Sequence, residues 1–170
     1  MDIVLKKYDS PCGILIMGAY GEQLCLCDWA DDCGRPRQLV VNRLRRLLNA
    51  GFVWGESDTI DIAVAQLKEY FCGQRKSFDV PLLYPGTDFQ RAVWEELLRI
   101  PYGETRSYAQ QAAAIGRPRA VRAVASANRA NAISVIIPCH RIIGSDKALT
   151  GYAGGLDAKQ LLLNIENAKL

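Results

Sequence analysis

The residues best suited to chemistry stand side by side in the run Ile137-Pro138-Cys139-His140-Arg141, which holds the only histidine of the 170-residue chain. A free thiol has a pKa of about 8.5 and is only slightly ionised at neutral pH, so an efficient cysteine nucleophile needs help. Histidine is the usual helper, and the adjacent Arg141 adds positive potential that favours the thiolate. Pro138 forces the residue before it to be extended and gives the turn a rigid entry. The preceding Ser134-Val135-Ile136-Ile137-Pro138 reads as an apolar strand. Adjacent side chains on a strand point to opposite faces, so Cys139 and His140 cooperate only if the chain bends there or a water bridges them. A carboxylate is needed to orient the imidazole, and Glu166 is a candidate by type. On these residues alone, a buried cysteine beside a structural histidine is the more frequent reading.

The elements that must position this turn are mostly helical. Thr87 or Asp88 caps a helix carrying Phe89, Val93, Trp94, Leu97 and Leu98, which Pro101 and Gly103 end. Ser107 opens a second helix that stops at Gly116. Arg117-Pro118 starts a third, with Pro118 in its first turn, that runs to Asn128. Two short helices joined by a glycine turn read as a helix-turn-helix whose second member enters a DNA groove, although such pairs also serve as plain packing units. Apart from Arg119 and Arg122 the third helix is nearly free of bulk, and Ala123, Ser126 and Ala127 let its axis approach a partner closely. A helix that reads bases in the major groove presents long polar side chains; this one suits contact without sequence readout. Between Tyr102 and Ile143, Arg106, Arg117, Arg119, Arg122, Arg129 and Arg141 face one acidic residue, Glu104, while the first 85 residues are near balance. That asymmetry points to a polyanionic partner for the second half, with an arginine-rich solvated face as the alternative. A closing amphipathic helix with Leu161, Leu162, Leu163 and Ile165 carries Glu166.

In the first half, Val4 to Tyr8, Gly13 to Tyr20 and Gln23 to Trp29 read as antiparallel strands in hairpins. Leu39, Val40, Leu44, Leu47 and Leu48 recur at helical spacing, with Arg43, Arg45 and Arg46 on the other face. Ser57 or Asp58 caps a helix with Ile62, Ala65, Leu67, Tyr70 and Phe71 that stops at Gly73, and Phe78 to Leu83 is extended. Tyr84-Pro85-Gly86 is a turn that divides the chain into domains 1–85 and 86–170. No run approaches the roughly 18 apolar residues of a membrane span, and charges at Asp2, Lys6 and Lys7 fall where a signal peptide needs apolar residues, so a cytoplasmic protein is expected. Six cysteines are then expected reduced. Cys12, Cys25, Cys27 and Cys33 lack the paired spacing of common zinc sites, and Cys25 and Cys27 read as small buried hydrophobes, so no metal is expected.

From about Asp88 to Glu166 the chain resembles the O6-alkylguanine-DNA alkyltransferases, also called methylated-DNA–protein-cysteine methyltransferases. Pro138-Cys139-His140-Arg141 matches the family signature. Gly103-Glu104, Ser107-Tyr108, Gly116-Arg117-Pro118, Arg122-Ala123-Val124, Asn131 and Gly151-Tyr152-Ala153-Gly154-Gly155 fall in the family's order and spacing. The first 85 residues match more loosely, mainly through the hairpins and Leu67-Lys68-Glu69-Tyr70-Phe71-Cys72-Gly73.

The resemblance implies an α+β chain: a ribonuclease H-like N-terminal domain with a small antiparallel sheet and helices, and a mostly helical, winged helix-turn-helix-like C-terminal domain. It implies direct reversal of DNA damage, in which Cys139 irreversibly takes an alkyl group from O6 of a flipped-out guanine, with O4 of thymine a second target. His140, held by Glu166, would draw the thiol proton through a water. Asn131 would brace the turn, and Tyr108 would donate to the purine. Arg122 would fill the gap left by the nucleotide, beside DNA contacts from Ser107, Arg119, Ala123, Ser126, Ala127 and Arg129. Tyr108, Ser134, Ile142, Tyr152, Ala153 and Gly154 would line the pocket. The implied partner is duplex DNA with alkylated bases, bound by a monomer with no cofactor and no obligate protein partner.

Three departures bear on this. Ala132 and Ser134 stand where many members carry proline, which suggests a looser, more open rim and tolerance of alkyl groups larger than methyl. Ala153 replaces a serine of some members, removing a hydroxyl but not the backbone N–H. Some relatives bind zinc through first-domain cysteines and histidines, and no histidine precedes His140 here. A non-reactive DNA-binding regulator and a cysteine hydrolase are the competing readings. Cys139 argues against the first, and turnover would distinguish the second.

Overall fold

The hairpin signals in the first quarter of the chain produce three consecutive strands, β1 (Ile3–Ser10), β2 (Gly13–Tyr20) and β3 (Gln23–Trp29). Ser10 fixes the first turn by donating its hydroxyl to the Gly13 carbonyl at 2.6 Å and accepting from the Cys12 amide. The second strand lies against its neighbours on both sides. A side chain at Gly18 would put its Cβ 2.7 Å from that of Leu26, so only glycine fits. The structure, a computed structural model, describes residues 1–168. Two compact units emerge: Met1–Pro85 with Ala132–Ile136, and Gly86–Asn131 with the chain from Ile137 onward.

In the first unit the sheet order is β3-β2-β1-β4, where β4 is Phe52–Trp54. The β1–β2 and β2–β3 pairs are antiparallel, but β4 joins β1 in parallel, which corrects the expectation of a purely antiparallel sheet. The physical reason is the connection: helix α1 (Gln38–Leu48) carries the chain back along the sheet before β4 begins, as a parallel pair requires. On α1 the buried stripe is Val40, Arg43 and Leu44, while Leu39 and Leu47 are exposed. Arg43 is therefore buried, where the sequence pattern places it on the solvent face. Helix α2 (Asp58–Phe71) is capped by Ser57, whose hydroxyl accepts from the Ile60 amide. Leu67 and Tyr70 are buried as expected, together with Ile60 and Ala63, whereas Ile62 and Ala65 are exposed.

Of the run 134–138, expected to be a strand leading into the reactive turn, residues 134–136 instead belong with 132–133 to the first unit. The Cys27 amide donates to the Ala132 carbonyl and the Ser134 amide donates to the Cys27 carbonyl, both at 2.8 Å. Val135 then takes φ 70°, an uncommon conformation for a β-branched residue, and ends the pairing.

In the second unit α3 (Asp88–Leu98) and α4 (Tyr108–Ala114) each begin with a reciprocal capping box, Thr87 with Gln90 and Ser107 with Gln110. Gly116, at φ 75°, makes the turn after α4. Helix α5 (Val121–Arg129) starts three residues later than expected, because Arg117–Ala120 forms a separate turn closed by the Ala120 amide on the Arg117 carbonyl. Pro118 and Arg119 thus precede the helix. Two buried amides join α4 to α5: Gln111 Nε2 donates to Asn128 Oδ1 at 2.8 Å and Asn128 Nδ2 returns the bond at 2.7 Å. Trp94 of α3 donates its indole N–H to the Ala127 carbonyl at 2.8 Å. A two-stranded parallel sheet, β5 (Arg106–Ser107) with β6 (Ile142–Ile143), and a closing helix α6 (Leu156–Ile165) complete the unit. Among the described residues no helix is long and apolar enough to cross a membrane.

Candidate active site

Cys139–Arg141 forms one turn of 3-10 helix, closed by the Arg141 amide on the Pro138 carbonyl at 3.0 Å. Successive side chains of such a turn point about a third of a revolution apart. The opposition expected of strand neighbours therefore does not arise. Cys139 is half-buried, whereas His140 is 0 % exposed and Glu166 is 3 % exposed.

Glu166 follows the last residue of α6 and gathers donors from two stretches of chain. His140 Nε2 lies 2.7 Å from its Oε2, Arg141 donates from Nε to Oε1 at 2.8 Å and from Nη2 to Oε2 at 3.1 Å, and the Gly103 amide donates to Oε1 at 3.2 Å. Arg141 also donates from Nη1 to the Ile100 carbonyl at 2.7 Å, and its guanidinium lies over the Tyr102 ring. Burial raises the Glu166 pKa, but the bonds and charges of His140 and Arg141 outweigh it and hold the carboxyl down at about 2. Burial, helped by the charges of Arg141 and Lys159, pulls His140 below its ordinary value despite Glu166. The stable combination is an ionised carboxylate beside a neutral imidazole. With Nε2 facing an acceptor that cannot donate, the proton is assigned to Nε2, and Nδ1 carries the lone pair. That buried Nδ1 has no hydrogen-bond partner among the described residues.

Arg141 differs from expectation, since its bonds go to Glu166 and Ile100 and its charge is compensated there. The cation that bears on the thiol is Lys159 of α6, which the sequence reading passed over. It is 1 % exposed and donates from Nζ to the Ile142 carbonyl at 2.5 Å and to the Thr150 carbonyl at 3.2 Å. Burial pulls its pKa to about 8, opposed by the charge of Cys139. A signal was available: Lys159 precedes Leu162 and Leu163 by three and four residues, which places it inside the apolar stripe.

Asn131, also buried, donates from Nδ2 to the Ile137 carbonyl at 2.9 Å and approaches Cys139 Sγ at 3.4 Å. The family model for the DNA-binding domain of 6-O-methylguanine DNA methyltransferase matches residues 88–168. A methylated-DNA–protein-cysteine methyltransferase of Mycobacterium tuberculosis is 54% identical over 164 residues, covering 96% of this chain and 92% of that protein. The chain belongs to this family. A relative from Methanosarcina barkeri with the same description is 57% identical over 108 residues, 64% of this chain and 68% of that protein. Among solved structures, the M. tuberculosis OGT in complex with DNA superposes with TM-score 0.80 at 41% identity, covering 96% of this chain and 92% of that one. The O6-methylguanine-DNA methyltransferase of Pyrococcus kodakaraensis, at 20% identity and TM-score 0.68 over 98% of this chain and 99% of that one, shares the fold.

The remaining family positions fall into two groups. On α5 and the turn before it, Arg119, Arg122, Ala123, Ser126 and Arg129 are exposed and form one strip. Ala127, expected on that strip, is buried with its carbonyl taken by Trp94, and Ser107 uses its hydroxyl to cap α4 by accepting from the Gln110 amide. Of the expected pocket residues, Ile142 is buried, Tyr108, Tyr152 and Gly154 are half-buried, and Ala153 is exposed. Ser134 is buried in the first unit, and its hydroxyl has no hydrogen-bond partner among the described residues. The departures at Ala132 and Ser134 do not leave a loose segment. The Ser134 amide donates to the Cys27 carbonyl, a bond that proline could not make. Among the described residues no group of three or more His, Cys, Asp or Glu side chains is placed to hold a metal ion.

Proposed function

We propose that this protein repairs alkylated duplex DNA by transferring the alkyl group from O6 of guanine to Cys139, once per molecule. The observation that carries the reading is the buried array of Glu166, Arg141 and neutral His140 in the same turn as a half-buried thiol. The thiol proton passes to His140 Nδ1 through a water, and the resulting imidazolium is stabilised by Glu166. The sulfur attacks the alkyl carbon in line. The C–S bond forms, the bond from carbon to O6 breaks, and its electron pair passes to the purine, which Tyr108 neutralises by donating a proton or hydrogen bond. A thioether has no easy leaving group, so the protein is consumed.

Asn131 holds the turn by its bonds to the Ile137 carbonyl and the sulfur. The Lys159 ammonium, disfavoured by burial but favoured by the charge of Cys139, in turn favours the thiolate form. A base inside a stacked duplex does not present O6 to a protein thiol, so the nucleotide must be extruded. The exposed strip of α5 suits that task. Its small residues permit close approach, Arg122 is long enough to enter the stack, and Arg119 and Arg129 offer charge to phosphates. O4-alkylthymine presents the same alkoxy carbon beside a ring nitrogen and is a second substrate.

Mass spectrometry tests this directly. After incubation with duplex containing O6-methylguanine, the peptide with Cys139 should gain the mass of one methyl group and no more. An unmodified protein, or one that releases product repeatedly, overturns the proposal.

A further inference from the structure

The Tyr108 phenol is tethered. Its Oη lies 2.7 Å from the Thr150 hydroxyl, in the connection between β6 and α6. Thr150 is held in turn, because its carbonyl accepts from Lys159 Nζ at 3.2 Å, and the same ammonium donates to the Ile142 carbonyl at 2.5 Å. A continuous set of hydrogen bonds thus runs from Ile142, just past the reactive turn, through Lys159 and Thr150 to Tyr108.

Each hydroxyl of the Tyr108–Thr150 pair has one proton, and either can donate in the free protein. A phenol that donates to the lesion cannot donate to Thr150 as well. Once a base is bound, Thr150 must be the donor and Tyr108 Oη the acceptor. That bond then strengthens as the phenol gives up proton density to the purine. We propose that Thr150 is a positioning residue for alkyl transfer, its hydroxyl donating to Tyr108 Oη and so directing the Tyr108 proton at the bound base. This rests on the proposed donor role of Tyr108, and nothing in the sequence pattern marks Thr150 for it.

The test is the single-turnover rate of alkyl transfer from lesion-bearing duplex to the full-length protein, with affinity for lesion-free duplex measured separately. Thr150→Val keeps the shape and removes the hydroxyl. It should lower the saturating rate about tenfold, the size of one hydrogen bond that counts in the transition state, and leave duplex affinity unchanged. Thr150→Ser should restore most of the rate, and in a Tyr108→Phe background Thr150→Val should add no further loss. Thr150→Ala gives the same reading should the valine variant not fold. A Thr150→Val rate equal to wild type, a serine variant no faster than valine, or a loss that persists without the phenol overturns the inference. A wild type that takes no alkyl group overturns the proposed function, and this inference with it.

Discussion

Cys27 and Cys139 carry the same side chain in opposite surroundings. Cys27 is fully buried in β3, where burial and the neighbouring Asp28 carboxylate push its thiol well above the ordinary range. Its strand neighbour Cys25 is pushed up to about 12 by burial. Burial dominates at both β3 thiols and disfavours the thiolate. Cys139 stands half-buried in a 3-10 turn, with an Asn131 amide 3.4 Å from the sulfur and the buried charge of Lys159 within electrostatic reach. A cysteine becomes a reagent through access, a donor aimed at sulfur and a nearby cation; Cys25 and Cys27 are 0 % exposed, and Arg37 is paired with Asp28, the neighbour of Cys27.

The largest expected effect tests that contrast itself. Cys139→Ser should abolish methyl uptake, by roughly a thousandfold or more, while the folded protein keeps its duplex affinity. Cys27→Ala should leave methyl uptake unchanged and lower unfolding free energy by about 1–2 kcal/mol, the cost of a small cavity in a packed core. Radiolabelled methyl transfer and urea midpoints measure the pair. Methyl uptake that survives in Cys139→Ser and vanishes in Cys27→Ala would invert the assignment.

Next in size is the array behind Cys139. Glu166→Gln keeps the shape but leaves Arg141 as a buried cation without its counter-charge, which should cost about 3–5 kcal/mol of stability and slow transfer. The pH dependence has a definite sign. Both His140 and Glu166 have folded pKa values below their unfolded ones, so the unfolded chain takes up protons first as acid is added. Their stabilisation is complete above the ordinary imidazole value of 6.5. The His140 contribution fades as pH falls below that value, and that of Glu166 fades between 4.5 and about 2. Thermal melts against pH should show both steps in the wild type and lack the lower one in Glu166→Gln. A wild type equally stable from pH 7 to pH 3 would contradict the paired, ionised Glu166.

Local chemistry made much of this legible. Ser57, Thr87 and Ser107 announced their caps, Gly73 and Gly116 their helix ends, and the Cys139, His140 and Glu166 grouping followed from residue type together with family spacing. What escaped depended on long-range packing. The pairing of Ala132 and Ser134 with Cys27 joins residues more than a hundred apart, and an apolar run reads alike whether it forms a strand or a bonded loop. Arg43 and Lys159 were hidden by the rule that charges face water, which fails for Lys159 because the buried Ile142 carbonyl accepts from its ammonium. The Gln111–Asn128 pair lies seventeen residues apart, and only the α4–α5 crossing shows that each amide satisfies the other.

The smallest effect separates the chemistry of the thiol from its access to the lesion. Arg122 is exposed on α5 and bonds to none of the residues of the reactive turn, so its replacement leaves the environment of Cys139 as it was. Free O6-methylguanine needs no extrusion and should react with Arg122→Ala as it does with wild type. Under the proposed extrusion, duplex substrate is opened and the gap filled, and losing the side chain should slow its repair about tenfold, the scale of one or two kcal/mol of unstacking left uncompensated. The ratio of the two rates is the informative quantity. Equal losses on both substrates would mean that Arg122 acts on the site itself, and the proposed division between a reactive turn and a separate DNA-opening helix would then collapse.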